Sequence, residues 1–236
     1  MRNSEWWRES TFCNECKFEI EISTYPQFYF GNSNSRNPQN YSNPSLRLDL
    51  PSLTFNPDKN DFSYLTDIIG HEIEFGNYYK FLIEKIYAYG KSFYDSSHHF
   101  WLIPSLKFHK KGFSTPVVPY DFYYEYSDFL KWIYSAEEDE TFSAFDPVGW
   151  ELNGLVKDNH VYLLFDTQGS IFSNVYVNRQ TLNSEITKST RALKKLISNL
   201  SYQIGVDVWL NDDVPEHPNF GTLNWNPKTK PQTQEN

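Results

Sequence analysis

A chain of 236 residues is long enough to bury a hydrophobic core as one domain or as two small ones. Its net charge of −9 repels phosphate backbones, and its basic residues do not gather to offset this, so we expect no nucleic-acid partner. No segment approaches the roughly 18 apolar residues of a membrane span, and charges interrupt the N-terminal segment where a signal peptide would be apolar; we therefore expect a cytoplasmic protein without a membrane partner.

Aromatic residues are unusually frequent, with 19 Phe, 17 Tyr and 7 Trp making up 18% of the chain. Many of these rings must be buried, but a surface that retains Tyr and Trp is typical of a contact surface, because the cores of protein interfaces favour both residues. Codon usage in an AT-rich genome would produce a similar composition. The composition therefore permits a binding surface without requiring one.

Two strands are predicted in the first part of the chain. Residues 18–23 alternate between apolar and polar side chains, and so do residues 46–50, which end at Pro51. Between them, residues 31–44 are rich in Asn, Ser and Pro, which predicts a long exposed loop. Each predicted strand has one apolar face available for a core.

The middle of the chain is mainly helical in pattern. Residues 65–75 fit both a strand and a helix, and we favour a helix; a second helix is predicted from a cap at Asn77 to an exit near Gly90. A strand is then expected over residues 99–108, interrupted or kinked at its proline. An aromatic-rich helix follows over residues 123–136.

The clearest pattern is a β-β-β-α-β unit over residues 149–210. Its elements are a hairpin, a third strand, a long helix with one apolar face and a short strand, in the ranges 150–156, 160–165, 171–177, 186–204 and 206–210. Residues 211–236 lack periodicity and predict an extended or partly disordered tail. The whole pattern predicts an α+β fold, a largely antiparallel sheet with helices packed on one face, as a single compact domain of residues 1–210.

The two cysteines form a Cys-x-x-Cys pair, Cys13 and Cys16. Thiolates at this spacing can occupy adjacent corners of a tetrahedral zinc site, which needs four protein ligands. No second pair stands at a spacing that completes the set, so histidines brought close by the fold would have to do so: His71, His98, His99 and His109. A thioredoxin-like couple needs a helix after the first thiol, whereas a strand is predicted here. We favour unspecialised thiols and no cofactor, and we retain zinc as the alternative.

The string GHEIEF begins like the zinc-protease motif His-Glu-x-x-His, at His71 and Glu72. Its fifth position is Phe75, so the second metal ligand is missing and a protease is not expected. His98 and His99 are adjacent and would point to opposite faces of a strand, which prevents joint chelation of one ion.

Three carboxylates on or beside the predicted C-terminal strands, Asp146, Glu151 and Asp166, are the candidates for hydrolase chemistry. Such chemistry needs two carboxylates to meet across a cleft, which spacing along the sequence does not determine. The chain carries no nucleophile elbow and no Gly-rich phosphate loop. A hydrolase therefore remains the alternative interpretation.

Four consecutive acids follow the helix predicted over residues 123–136: Glu137, Glu138, Asp139 and Glu140. Runs of like charge are usually solvated, and their functional interpretation is a docking patch for a basic protein. Acidity, aromatic excess and the lack of a complete catalytic motif together favour a non-catalytic protein that occludes or sequesters a basic partner protein. A bacterial immunity protein, which neutralises a toxin by covering its basic active site, is one setting for such a domain; a zinc-stabilised accessory protein is a further alternative.

Overall fold

The computed structural model describes residues 5–31, 44–90, 100, 102–117, 126–146, 149–167 and 170–205. The chain divides into two compact units, one formed from Met1–Ile20 and Ile103–Arg191 and the other from Glu21–Leu102 and Ala192–Asn236. Both contain strands and helices, and most strand pairs are antiparallel, which confirms the predicted α+β class. The single domain of residues 1–210 stays a prediction.

The strands, in chain order, are β1 (Thr11–Phe12), β2 (Glu15–Ser23), β3 (Gln27–Tyr29), β4 (Arg47–Asp49), β5 (Phe62–Tyr64), β6 (Leu102–Lys110), β7 (Phe113–Val117), β8 (Thr141–Asp146), β9 (Trp150–Lys157), β10 (His160–Thr167) and β11 (Ser170–Asn178). The α-helices are α1 (Leu65–Ile68), α2 (Glu72–Ala88), α3 (Tyr126–Ser135) and α4 (Arg179–Ile204). Short 3-10 helices cover Trp6–Glu9 and Pro44–Leu46.

The first unit contains a five-stranded sheet in the order β1-β11-β10-β9-β8, antiparallel except for the pairing of β1 with β11. The predicted hairpin of β9 and β10 is confirmed. Its two turn residues, Asp158 and Asn159, have φ angles of 50° and 60°. Asp and Asn tolerate this left-handed conformation better than most residues, and it matches the twist of a tight hairpin.

Helix α3 covers one face of this sheet. The ring of Trp132 packs against Phe142 at 5.3 Å between centroids and lies directly over Gly154. Arg179, at the start of α4, donates from Nη2 to the carbonyl oxygen of Ile133 at 3.1 Å. These contacts fix α3 against one face of the sheet, which we call the inner face. The opposite face of the same strands, the outer face, is left for other contacts.

A second sheet has the order β5-β2-β6-β7. In the first unit β2 begins beside β6, and Ser189 of α4 donates its hydroxyl to the carbonyl oxygen of Phe18 at 2.6 Å. In the second unit the end of β2 pairs with β5. Helix α2 is anchored in that unit by two buried tyrosines, because Tyr78 donates to Tyr25 O at 2.8 Å and Tyr79 donates to Ser23 O at 3.0 Å.

Two details of the sequence prediction are corrected. Helix α2 begins at Glu72 and not at the proposed cap Asn77, which is an exposed position inside the helix. Two acids in the first turn explain the earlier start, since carboxylates favour the positive end of the helix dipole. Strand β6 continues through Pro104 without interruption. The residues predicted as a strand over 206–210, the tail over 211–236 and most of the loop over 31–44 lie outside the described residues.

Candidate functional site

The four consecutive acids form the connection between α3 and β8, which we call the acidic turn. Its backbone is fixed by a bulge opposite Val156: the Asp139 N–H donates to Val156 O at 2.8 Å, and the Val156 N–H donates to Glu140 O at 3.0 Å. Asp139 has a φ of 62°, at the bulge position where glycine is usual. The turn is therefore part of the sheet framework and has a defined conformation.

Side chains of the acidic turn also bond within the unit. The Glu140 carboxylate accepts from the Glu137 N–H at 2.9 Å, and Glu138 accepts from the N–H of Asp158. Lys157 binds Asp139 Oδ1 at 2.7 Å, and this hydrogen bond raises the pKa of the lysine. All four acids remain exposed, so the turn presents negative charge at fixed positions. Fixed charge lowers the ordering cost of binding an oppositely charged partner.

Five rings lie together on the outer face of the five-stranded sheet, and we call them the aromatic strip: Trp7, Phe12, His160, Tyr162 and Tyr176. Tyr162 stacks on Tyr176 at 4.7 Å between centroids, because the two residues are direct cross-strand partners. Trp7 makes an edge contact with Tyr162 at 5.7 Å, and Phe12 contacts Tyr176 at 5.2 Å. His160 lies 5.4 Å from Tyr176. Phe12 is 45% exposed, so part of the strip faces solvent.

Lys157 connects the aromatic strip to the acidic turn. Its Nζ lies 5.6 Å from the centroid of Trp7 while it binds Asp139. Arg8 lies 5.4 Å from the same ring and pairs with Glu5 at 2.7 Å. Rings and carboxylates therefore form one continuous surface of the first unit. An arginine or lysine of a partner would find carboxylates and ring faces there together.

The sequence analysis identified the acids of this surface and missed the rings. Residues 160 and 162 alternate on β10, which places both on one face, but their partner Tyr176 is known only once the register of β11 is fixed. Trp7 and Phe12 belong to short elements at the start of the chain, where no periodicity indicates a face. Only the aromatic composition pointed to such a surface.

Cys13 and Cys16 are both free and buried, just before and within β2. Burial raises the pKa of each thiol, that of Cys16 to about 12, where Glu185 and Cys13 add to the effect. Within the described parts of the chain, no three His, Cys, Asp or Glu side chains are grouped as metal ligands would be. Zinc binding by this pair stays the alternative interpretation.

We expect both thiols to resist alkylation in the folded protein. With a pKa of about 12, only about one in ten thousand Cys16 side chains is a thiolate at pH 8. Iodoacetamide at pH 8, followed by mass spectrometry, should leave Cys16 unmodified in native buffer and modify it fully in guanidinium. Rapid modification of the native thiol would contradict its burial and favour an activated cysteine.

The remaining predicted residues do not assemble into one site. His71 Nδ1 lies 3.3 Å from Glu74 Oε2 on the exposed start of α2, and Phe75, at the position where a zinc protease has its second histidine, is buried in the core. His109 lies on β6, apart in sequence from His98 and His99, which are outside the described residues.

Two of the three candidate carboxylates come together. Glu151 and the buried Asp166 are direct cross-strand partners on β9 and β10, and Glu151 accepts from Asn153 Nδ2 at 2.8 Å. Asp146 pairs in register with Trp150 at the end of β8. Two acids of one sheet face are brought close by the register, whereas no histidine or third acid joins them in a metal-binding group among the residues described.

The fold and this surface define an α+β protein with an acidic turn beside an aromatic strip. No protein-family model matches the chain, and searches of curated proteins and of solved structures found no match. Among the helices that the structure describes, none has the length and apolarity needed to cross a membrane.

Proposed function

We propose that this protein binds a basic partner protein without catalysis and acts by covering part of the partner's surface. The supporting observation is the continuous surface made by the acidic turn and the aromatic strip. The acidic turn and Asp158 together carry five carboxylates, of which Asp139 binds the Lys157 ammonium, so the local charge is negative. Charge complementarity speeds association, and aromatic residues commonly supply most of the affinity.

One biological setting fits these properties. A bacterial immunity protein neutralises a toxin by covering its active site. When the toxin is an enzyme that acts on phosphate-containing substrates, this active site is basic. An acidic, preorganised surface is complementary to such a site. The proposal for this chain is toxin neutralisation of this kind in the cytoplasm.

The test is neutralisation of the acidic turn without loss of its hydrogen bonds. Glutamine at positions 137, 138 and 140 keeps an acceptor oxygen where Glu138 and Glu140 accept, but removes three charges. We expect affinity for a partner captured from the native host, and then purified, to fall about tenfold or more, mainly through slower association. Surface plasmon resonance measures both rates.

The matched control replaces two acids outside the surface, the exposed Glu84 and the partly exposed Glu72 on α2, by glutamine, which keeps the acceptor oxygen that Glu72 offers to the Gly70 N–H. This variant should bind as the wild type does. Asp139 is left unchanged because its backbone is left-handed. A substitution there would add backbone strain, and the effect of the strain could not be separated from the effect of the lost charge. Equal affinity of the glutamine variant and the control would remove the acidic turn from the account.

A further inference from the structure

Strand β8 ends the five-stranded sheet among the residues that the structure describes, with β9 on its only described side. Hydrogen bonds between antiparallel strands alternate along each strand. Because the Val156 N–H donates to Glu140 O, the bonds to β9 fall on residues 142, 144 and 146. The backbone N–H and C=O groups of Thr141, Ser143 and Phe145 consequently point away from the sheet.

Along Thr141–Asp146 the edge carries little of the usual protection, since the bulge at Asp139 lies before its first residue. Natural edge strands are blocked by lysine, by proline, by bulges or by short length, since unpaired backbone groups recruit other strands. Strand β8 spans six residues and carries neither lysine nor proline, and its first five residues are uncharged. Phe145 is 74% exposed on the outer face, beside the end of the edge.

The charges around the edge determine which strand fits it. The acidic turn directly precedes β8, Asp146 ends it, and Glu151 lies opposite Phe145 on the neighbouring strand. A second copy of this chain, paired antiparallel about Ser143, would place Glu140 opposite the other copy's Asp146, which is repulsive. A strand with basic residues near its ends meets opposite charge at both ends of β8.

We propose that the edge of β8 accepts an extended, basic segment of the partner protein as an added strand. This inference rests on the proposed function and specifies how the partner is held. Backbone hydrogen bonds to Thr141, Ser143 and Phe145 provide the pairing, and the flanking acids select the partner's charge. The exposed ring of Phe145 contacts the side chains of the added strand on the outer face.

The test uses proline at Ser143, whose N–H points away from the sheet. Ser143→Pro removes one donor of the free edge and places a ring there, and edge strands tolerate proline at such a position. Ser143→Ala is the matched control, since it keeps the backbone donor. The probe is the acetylated peptide Lys-Thr-Val-Arg-Val-Thr-Val-Arg-Lys, compared with the same peptide carrying Glu at each basic position.

We expect the basic peptide to bind the wild type and Ser143→Ala alike, and to bind Ser143→Pro about tenfold or more weakly. The acidic peptide should not bind. Equal binding to the proline variant, equal binding of both peptides, or no binding to the wild type would each overturn strand addition. Concentration-dependent self-association that Ser143→Pro abolishes would assign the edge to a second copy and also overturn it.

Hydrogen exchange of the wild type provides a second readout that does not depend on folding of the proline variant. In the free protein the amides of Thr141, Ser143 and Phe145 should exchange faster than those of Phe142 and Ala144, and the basic peptide should protect them. Protection already present in the free protein, or none with the peptide, would contradict the inference. The proposed function fails separately, if the glutamine variant of the acidic turn binds the captured partner unchanged.

Discussion

Replacing Gly154 by valine is expected to lower the free energy of unfolding by about 3 kcal/mol, at the upper end of overpacking effects. A Cβ at this position would lie 2.5 Å from Cη2 and 2.8 Å from Cζ3 of Trp132. The indole ring is 6% exposed and packed against Phe142, so it has little room to move. Urea unfolding followed by circular dichroism measures the loss.

Two further variants show whether the Trp132 ring causes this loss. Gly76→Ala is the control, since its Cβ would meet the flexible side chain of Gln203 and alanine favours the helix, so we expect a change within about 1 kcal/mol. Combining Gly154→Val with Trp132→Phe removes the indole atoms that the new Cβ would meet, so the double variant should be more stable than the sum of the single effects. Strict additivity would contradict the packing of α3 on the sheet.

Replacing Trp7 by alanine is expected to weaken binding of the captured partner about 30-fold, the loss typical of an aromatic residue at the centre of an interface. Trp7 packs against Tyr162 at 5.7 Å and its ring centroid lies 5.6 Å from the Lys157 ammonium, so its loss removes a contact ring and uncovers a lysine that still binds Asp139. Isothermal titration calorimetry with the purified partner measures the change.

Tyr202 gives the matched control for this substitution. It is 87% exposed on α4 and belongs to the second unit, outside the aromatic strip. Tyr202→Ala should leave the affinity unchanged. If Tyr202→Ala weakens binding while Trp7→Ala has no effect, the partner binds elsewhere and the aromatic strip has no role in recognition.

Much of the secondary structure was predictable because local patterns determine it. The alternation in residues 18–23 and the hairpin over residues 150–165 are confirmed as β2 and as β9 with β10. Helix α4 ends at Ile204 as predicted, and Gly205 follows it with a φ of 78° and its N–H bonded to Ser201 O. In each case the residues that determine the element are neighbours in the sequence.

The candidate site was predictable only in part because it depends on long-range register. The four acids are visible as a charge run, but the bulge that fixes them requires Val156 of the next strand. The aromatic strip joins residues near the start of the chain to β11, through the parallel pairing of Phe12 with Tyr176. Register of this kind follows from tertiary packing, which a single sequence does not display.

The most direct test of recognition through the acidic turn is the salt dependence of partner binding by the wild type and by the variant with glutamine at positions 137, 138 and 140. Between about 50 mM and about 500 mM salt, screening should weaken the wild type strongly and the variant much less. If the acidic turn recognises the partner, the two affinities converge at high salt. Parallel salt responses, with the same ratio of affinities throughout, would contradict recognition through the acidic turn.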